Sequence, residues 1–212
     1  MSTVSFAEQL AQRAEAAGVA LDARLSAALI VYFELLRRWN RRINLTGLDL
    51  DAISDDGIDR LLIEPLIAAR HVAPGTVSII DLGSGGGSPA LPLALAVSGA
   101  SITMVESRVK KSVFLKEATR ELGLSAAVLT VRYEEALGDE GLTAAFDTLT
   151  CRALRLSSAD IAKVETFVRP GGRLLLFRSA QSELSGSVML PRLESHPLPR
   201  PGSELIVFQK VR

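Results

Sequence analysis

The chain has 212 residues, 48% of them hydrophobic and 23% charged, which is typical of a globular protein with a buried core. The 24 basic and 24 acidic residues cancel, so composition gives no support for nucleic-acid binding, and any such surface must be a local patch. One cysteine excludes an internal disulfide and a cysteine-built metal site, and neither a membrane-spanning apolar run nor a secretion signal is found. We therefore expect a cytoplasmic, monomeric protein with no membrane partner and no metal.

Residues 1–72 predict a helical region. Apolar residues recur at helical spacing through Phe6, Leu10 and Ala14, and Gly18 ends this first helix. A second helix begins near Asp22, and its apolar stripe has periods of three and four: Leu25, Leu29, Tyr32, Phe33, Leu36 and Trp39. Residues 59–70 suggest a third helix, which Pro65 kinks or restarts. The Ala-Pro-Gly sequence at 73–75 predicts the joint to a second region, residues 73–212.

Strand and helix patterns alternate after this joint. Short, β-branched apolar runs predict strands at residues 76–82, 101–107, 127–131, 145–150 and 172–177, with helices at 89–97, 108–122 and 157–168. Such alternation implies a parallel sheet with right-handed crossovers. Residues 188–210 differ, because two extended segments joined by Pro-Arg-Pro-Gly predict an antiparallel hairpin. The predicted fold class is α/β, a Rossmann-like sheet with an antiparallel C-terminal hairpin and an N-terminal helical extension.

The segment Asp-Leu-Gly-Ser-Gly-Gly-Gly-Ser-Pro-Ala-Leu-Pro, residues 81–92, lies between the first predicted strand of the sheet and a helix. Open α/β sheets bind ligands at this position, and glycines let the backbone come close to a ligand. Two fingerprints overlap here. The dinucleotide pattern G-x-G-x-x-A fits Gly85, Gly87 and Ala90. The D-x-G-x-G-x-G loop of methyltransferases that use S-adenosylmethionine fits Asp81, Gly83, Gly85 and Gly87. A tight turn without a ligand is the third alternative.

The surrounding sequence favours the methyltransferase pattern. Asp81 ends the strand beside the loop, where it could hold the loop or the methionine amine, and a dinucleotide domain would normally continue with parallel strands instead of a hairpin. Glu106 ends the next strand, where its carboxylate could accept hydrogen bonds from the ribose of either cofactor. No Gly-Lys-Ser/Thr follows the glycines, which excludes a P-loop. We predict a class I methyltransferase sheet with S-adenosylmethionine as cofactor, and an NAD(P)-dependent oxidoreductase is the alternative.

Several further segments are specific to one family. They are Trp39-Asn40-Arg-Arg-Ile-Asn44-Leu45-Thr46, the glycine loop with Pro89 and Pro92, Thr103-Met-Val-Glu106-Ser107, Lys110-Lys111-x-x-Phe114-Leu115, Arg132-Tyr-Glu134-Glu135 and Cys151-Arg152-Ala153. In these segments the chain resembles the bacterial 16S ribosomal RNA (guanine-N7) methyltransferase G family, also called glucose-inhibited division protein B. The resemblance runs from about residue 26 to the C-terminus. It implies methylation of N7 of a guanine, with 16S ribosomal RNA or the small ribosomal subunit as partner.

The resemblance also implies the residues of the site. The cofactor would contact Gly83 and Ser88 at its methionine and ribose, Glu106 at its ribose, and Tyr133 with Glu134 at its adenine. Asp81, Gly85 and Gly87 complete the cofactor loop. Arg152 would lie at the mouth of the site as the catalytic residue, next to the cofactor, and could hold the guanine O6 or a phosphate. The alternative for Arg152 is an ion pair with a neighbouring acid.

A local basic cluster predicts the RNA surface. Its members are Arg37, Arg38, Arg41 and Arg42 together with Lys110 and Lys111. The alternative is a solvated helix end, where arginines favour the C-terminal dipole. We expect Trp39 in the core, Asn44 and Thr46 as braces of the joint, Cys151 as a buried structural thiol, and His71 and His196 as residues without companions.

The chain departs from the usual family pattern at four places. Leu61 replaces a histidine, Glu64-Pro65 replaces an Asp-Ser pair, Ala90 replaces a glycine, and Arg178-Ser179 replaces a Lys-Gly pair. These changes leave the expected fold and cofactor almost unaltered. They leave open a divergent paralogue with a different or lost RNA target.

Overall fold

A computed structural model describes residues 5–152, 154, 156–179 and 190–211. The predicted N-terminal helices are present. Helix α1, Phe6–Ala16, begins with a capping box between Ser5 and Glu8, and helix α2, Ala23–Asn40, begins at Asp22, whose carboxylate accepts the N–H of Leu25. No helix of the described residues is long and apolar enough to cross a membrane.

The predicted third helix is broken into short pieces. Helix α3, Asp55–Ile58, continues into a π-helical turn, Asp59–Ile63, then helix α4, Glu64–Ala68, and a 3₁₀ turn, Ala69–His71. Pro65 lies in the first turn of α4, where its missing N–H is tolerated.

The remaining elements form the predicted alternation. The helices are α5, Ala90–Ala96, α6, Val109–Glu121, α7, Tyr133–Ala136, and α8, Ser158–Val164. The strands are β1, Ser78–Leu82, β2, Ser101–Val105, β3, Ala126–Leu129, β4, Phe146–Arg152, β5, Val168–Ser179, β6, Arg192–Pro197, and β7, Ser203–Gln209. Two 3₁₀ turns, Glu140–Leu142 and Glu165–Phe167, complete the described structure.

The seven strands form one sheet in the order β3-β2-β1-β4-β5-β7-β6. Strands β1 to β5 are parallel, and β7 is antiparallel to both β5 and β6. The predicted C-terminal hairpin is therefore confirmed by β6 and β7, while residues 188 and 189 of that prediction lie outside the described residues. Strands β2 and β4 lie on opposite sides of β1, so the connections that follow β1 and β4 run in opposite directions across the sheet. Such a switch point opens a crevice in which ligands bind.

Both faces of the sheet are covered by helices. Ile79 and Leu175 point to the face packed under α2, α4, α5 and α6, whereas their neighbours Ile80 and Leu174 point to the face under α8. This alternation is the period of two expected of strands. The N-terminal helices thus share one hydrophobic core with the sheet, and a domain boundary between residues 72 and 73 stays a prediction.

Candidate active site at the glycine loop

A cleft of about 610 Å³ opens above the carboxyl ends of β1 and β2, a size usual for cofactor pockets. The predicted site residues that line it are Gly83, Gly85, Ser88, Glu106, Lys111, Tyr133, Glu134 and Arg152. Asp81 and Gly87 lie behind this lining. The lining residues that the sequence did not assign to the cofactor site include Asn44, Thr46, Gly47, Leu61 and Leu154.

The glycines of the loop are required by its backbone. Gly83, Gly85 and Gly87 have φ values of +71°, +53° and +90°, which side chains strongly disfavour. A Cβ at Gly83 would lie 3.0 Å from Cγ of Leu154, and one at Gly87 would lie 2.6 Å from Cδ1 of Leu91. The loop therefore has no room for a side chain at Gly83, beside the cleft-lining Leu154, or at Gly87, against α5.

Glu106 fastens this loop to the next helix. One carboxylate oxygen accepts the N–H of Gly85 at 2.8 Å, and the other accepts the N–H of Arg108 at 2.8 Å, before α6 begins. The residue is 7% exposed and lines the cleft. Because a carboxylate has about four acceptor positions, Glu106 keeps acceptor capacity for the hydroxyls of a ribose.

Asp81 lies beneath the loop. Its Oδ1 accepts a hydrogen bond from Oγ1 of Thr150 at 2.6 Å, which ties β1 to β4, while its Oδ2 has no partner in the described part of the chain. Burial raises the pKa of Asp81 to about 6. Asp81 therefore lies under the glycines and does not line the cleft.

Arg152, at the end of β4, is almost completely buried in an ion pair. Its Nη2 lies 3.0 Å from Oε2 of Glu64. The Glu64 side chain is 1% exposed, and its Oε1 accepts hydrogen bonds from Nε of Arg200 and Oγ of Ser203. The guanidinium stacks on the ring of Phe177 at 4.2 Å, and burial lowers the pKa of Arg152 to about 10. The ion pair that was the alternative for Arg152 is thus present, while its Nε has no hydrogen-bond partner among the described residues.

Pro65 explains why two backbone carbonyls are available to the site. An α-helix would satisfy the carbonyl of Leu61 with the N–H of residue 65, and π-helical bonding would do the same for Arg60, but proline has no N–H. Instead, Oγ of Ser88 donates to the Leu61 carbonyl at 2.8 Å, and Nη1 of Arg152 donates to the Arg60 carbonyl. The departure at Pro65 therefore fits the positions of two predicted site residues.

The N-terminal region forms one wall of the cleft. Oη of Tyr32 donates to the carbonyl of Gly86 at 2.8 Å, and a Cβ at Gly86 would lie 3.2 Å from the carbonyl of Leu45. The carboxamide of Asn40 accepts the N–H groups of Leu45 and Thr46 at 2.9 and 3.0 Å. Asn40 thus holds the chain that follows α2 in this wall, because its side chain folds back over residues 45 and 46. The role of Asn44 and Thr46 as braces stays a prediction.

Tyr133 and Glu134 lie across the cleft from this wall, in the short helix α7 that follows β3. Burial raises the pKa of the Tyr133 phenol, so the ring stays neutral and offers an apolar face with a polar tip. A glycine-lined floor, a ribose-acceptor carboxylate and an aromatic side chain together fit S-adenosylmethionine.

The predicted RNA cluster lies outside the cleft except for Lys111, which lines it. Three of its arginines pair with acids: Arg37 with Glu34 at 2.7 Å, Arg38 with Glu117 at 3.0 Å and Arg41 with Asp51 at 2.7 Å. Arg42 and Lys110 are exposed. Exposed ion pairs are weak and exchange readily, so these pairs leave the predicted RNA role open.

Three expectations about single residues have clear outcomes. Trp39, expected in the core, is partly buried at its edge, where Nε1 donates to Glu117 at 3.1 Å and the ring packs edge-on against Phe114. Cys151 is buried, which raises the pKa of its thiol to about 12 and suits a structural role. The expectation that His71 and His196 have no companions is wrong, because their rings lie 3.9 Å apart beside Glu194.

The strand order, the antiparallel β7 and the glycine loop after β1 define the Rossmann-like fold of class I S-adenosylmethionine-dependent methyltransferases. Solved structures agree. An O-methyltransferase from Bacillus cereus in complex with SAH has a TM-score of 0.61 at 17% identity, covering 95% of this chain and 96% of its own. The [4+2]-cyclase SpnF has a TM-score of 0.60 at 16% identity, covering 88% of this chain and 96% of its own. Likeness at this identity concerns the fold alone.

Sequence comparison gives the family. The model of the family described as GidB, rRNA small subunit methyltransferase G, matches residues 25–188. Ribosomal RNA small subunit methyltransferase G of Stenotrophomonas maltophilia (strain K279a) is 40% identical over 164 residues, 76% of this chain and 73% of that protein. The protein of the same name from Xanthomonas euvesicatoria pv. vesicatoria (strain 85-10) is 37% identical over 199 residues, 90% of this chain and 89% of that protein. The chain belongs to the rRNA small subunit methyltransferase G family.

Proposed function

We propose that this chain transfers a methyl group from S-adenosylmethionine to N7 of a guanine in 16S ribosomal RNA. The observation that carries the proposal is the family match across residues 25–188, which contains the glycine loop and the whole lining of the cleft. The partner would be 16S ribosomal RNA or the small ribosomal subunit, met in the cytoplasm by a monomer. An NAD(P)-dependent oxidoreductase is not favoured by this match.

The bound cofactor supplies a methyl group on a positively charged sulfur. The backbone at Gly83 and Gly85 and the hydroxyl of Ser88 would face its methionine and ribose, and Glu106 would accept from the ribose hydroxyls. Tyr133 and Glu134, in the cleft lining, would hold the adenine. Asp81 and Gly87 act from behind, by fixing the shape of the loop.

The proposed reaction requires few catalytic side chains. Guanine N7 has a lone pair and no proton, so it would accept the methyl group directly, with the electron pair of the broken carbon–sulfur bond left on the cofactor's sulfur. No base has to remove a proton. The protein contributes alignment of the two reacting atoms and exclusion of water, both of which lower the barrier.

Arg152 is the residue proposed to connect this cleft to the target base. Its Nη atoms are engaged with Glu64 and the Arg60 carbonyl, and its buried Nε has no hydrogen-bond partner among the described residues, so Arg152 would have to exchange one of its present partners for a guanine or phosphate oxygen. Lys111 and Arg108 line the same cleft and supply positive charge for the RNA backbone. The exposed cluster Arg37, Arg38, Arg41, Arg42 and Lys110 would extend this surface.

The test is methyl transfer with labelled S-adenosylmethionine to small ribosomal subunits and to free 16S RNA, both from cells that lack the gene, followed by mapping of 7-methylguanosine. The proposal expects one labelled guanine in at least one substrate. Label at another nucleotide or another RNA would indicate a paralogue with a changed target. Thermal stabilisation by NAD or NADP, with none by S-adenosylhomocysteine, would instead favour an oxidoreductase.

A further inference from the structure

A second cluster of chemical groups lies on β6, the edge strand of the sheet. Glu194 and His196 are two residues apart on this strand and therefore project from the same face. His71, the last residue of the 3₁₀ turn Ala69–His71, meets them there. None of the three lines the 610 Å³ cleft, so the cluster is separate from the methyl-transfer site.

The three side chains converge on one point. Nδ1 of His71 lies 3.1 Å from Oε1 of Glu194, and Nε2 of His196 lies 2.9 Å from Oε2 of the same carboxylate. One ligand atom from each residue lies within 4.8 Å of the other two, and the imidazole rings are only 3.9 Å apart. Two imidazoles and a carboxylate in such proximity are a common donor set for zinc.

One atom of the cluster lacks an ordinary partner. Nε2 of His196 is buried and makes no hydrogen bond within the described residues. The Glu194 oxygen is close enough for one, but it does not lie in the direction that a hydrogen bond from the ring nitrogen requires. A buried ring nitrogen without a hydrogen bond costs free energy, and a metal ion bound to its lone pair would remove that cost. The carboxylate, 37% exposed, leaves an open path for an ion to enter.

We propose that His71, Glu194 and His196 bind a Zn²⁺ ion, with water completing its coordination. The backbone of His71 is already fixed, since its carbonyl accepts from Nη1 of Arg173 at 3.2 Å. The ion would join the end of the N-terminal helical region to the C-terminal hairpin, across 123 residues of chain. Its effect would be to stabilise the docking of the hairpin edge, independently of the cofactor.

The composition of the chain makes this site unusually simple to test. The protein has two histidines, and both belong to the cluster, while the single cysteine, Cys151, is buried. Any binding of zinc that depends on imidazole must therefore come from this place. The protein should be prepared without a histidine tag and stripped with a chelator before use.

Calorimetric titration of the stripped protein with zinc chloride should give one ion per chain. Saturation at about 100 times the dissociation constant should raise the thermal midpoint by roughly 5 °C or more. Bound Co²⁺ should give a visible ligand-field spectrum of a low-symmetry site with nitrogen and oxygen ligands. The double variant His71→Gln/His196→Gln should lose binding, the shift and the spectrum, whereas Glu121→Gln, a change of an exposed acid on α6, should keep all three.

Absence of zinc binding by the wild-type chain would overturn the proposal. Equal binding, or an unchanged Co²⁺ spectrum, in the double variant would also overturn it, because the ion would then lie elsewhere. Thermal unfolding of each variant in chelator separates loss of the site from loss of the fold. If the double variant does not fold, the single variant Glu194→Gln provides the same comparison, with weakened zinc binding expected and unchanged binding as the contrary result.

Discussion

The hydroxyl of Ser88 donates a hydrogen bond to the carbonyl of Leu61 at 2.8 Å, and Pro65, whose N–H an α-helix would use for this carbonyl, has none to donate. The contact joins the glycine loop, at its junction with α5, to the interrupted helix of the N-terminal region. The interrupted helix around Pro65 thus forms part of the wall of the cleft. Several of the site's other contacts follow the same principle, in which distant segments complete each other's hydrogen bonds.

Replacement of Ser88 by alanine should reduce the free energy of unfolding by about 1 to 2 kcal/mol, since the buried carbonyl loses its donor. In the double variant Pro65→Ala/Ser88→Ala, the new N–H at position 65 can donate to the Leu61 carbonyl, so part of the lost stability should be recovered. Denaturant unfolding of the four proteins gives the coupling between the two sites. Ser101→Ala, which removes a similar but exposed hydrogen bond, is the control. Strict additivity would show that Pro65 does not control the Leu61 carbonyl.

Replacement of Glu106 by glutamine should weaken the binding of S-adenosylhomocysteine at least tenfold, or about 1.4 kcal/mol. The amide can keep one of the two N–H groups that the carboxylate now accepts, and it would present a donor where ribose hydroxyls need an acceptor. Calorimetry measures the affinity directly, with Glu121→Gln as the matched surface change. Unaltered affinity would remove Glu106 from the cofactor site.

Replacement of Arg152 by methionine should destabilise the protein by about 3 kcal/mol, because Glu64 would remain buried with one ion-pair partner fewer. The double variant Arg152→Met/Glu64→Gln should recover much of that stability. Methyl transfer should stay low in both variants, while binding of S-adenosylhomocysteine persists. Arg169→Met, which breaks a more exposed pair with Asp147, should cost less than 1 kcal/mol. Full methyl transfer by the stable double variant would show that Arg152 serves the fold alone.

Asp81 should make the protein less stable as pH rises from about 4 to 6. Its folded-state pKa of about 6 exceeds the ordinary value of 3.8, so the folded protein binds the proton more tightly than the unfolded chain. The stabilisation is complete below about pH 4 and is lost as pH rises through 6, at a cost on the order of 2 to 3 kcal/mol. As pH rises across this range, the free energy of unfolding of the wild type should therefore fall relative to that of Asp81→Asn. A difference that does not change with pH between 4 and 7 would contradict the assignment.

Much of the fold could be predicted from local sequence. The alternating apolar runs gave five parallel strands, and Asp22, Gly18 and Pro-Arg-Pro-Gly marked ends and turns, because these signals act between residues that are close in the chain. The glycine spacing matched the positive φ values at Gly83, Gly85 and Gly87. Local signals did not predict the structure of residues 55–71. Pro65 and the packing of the sheet there produce a succession of short helical turns in place of one helix.

The sequence by itself determined most local conformations of the chain, those of residues 55–71 excepted, and, through its resemblance, the family to which the chain belongs. Only the tertiary structure decided that Asn40 braces the wall, that Arg152 pairs with Glu64, and that His71 meets His196. Each of these contacts except the first joins residues far apart in the chain, 88 positions in the case of Arg152 and Glu64. Their partners depend on how helices and strands stack after burial of the shared core, and no spacing within a single segment contains that information.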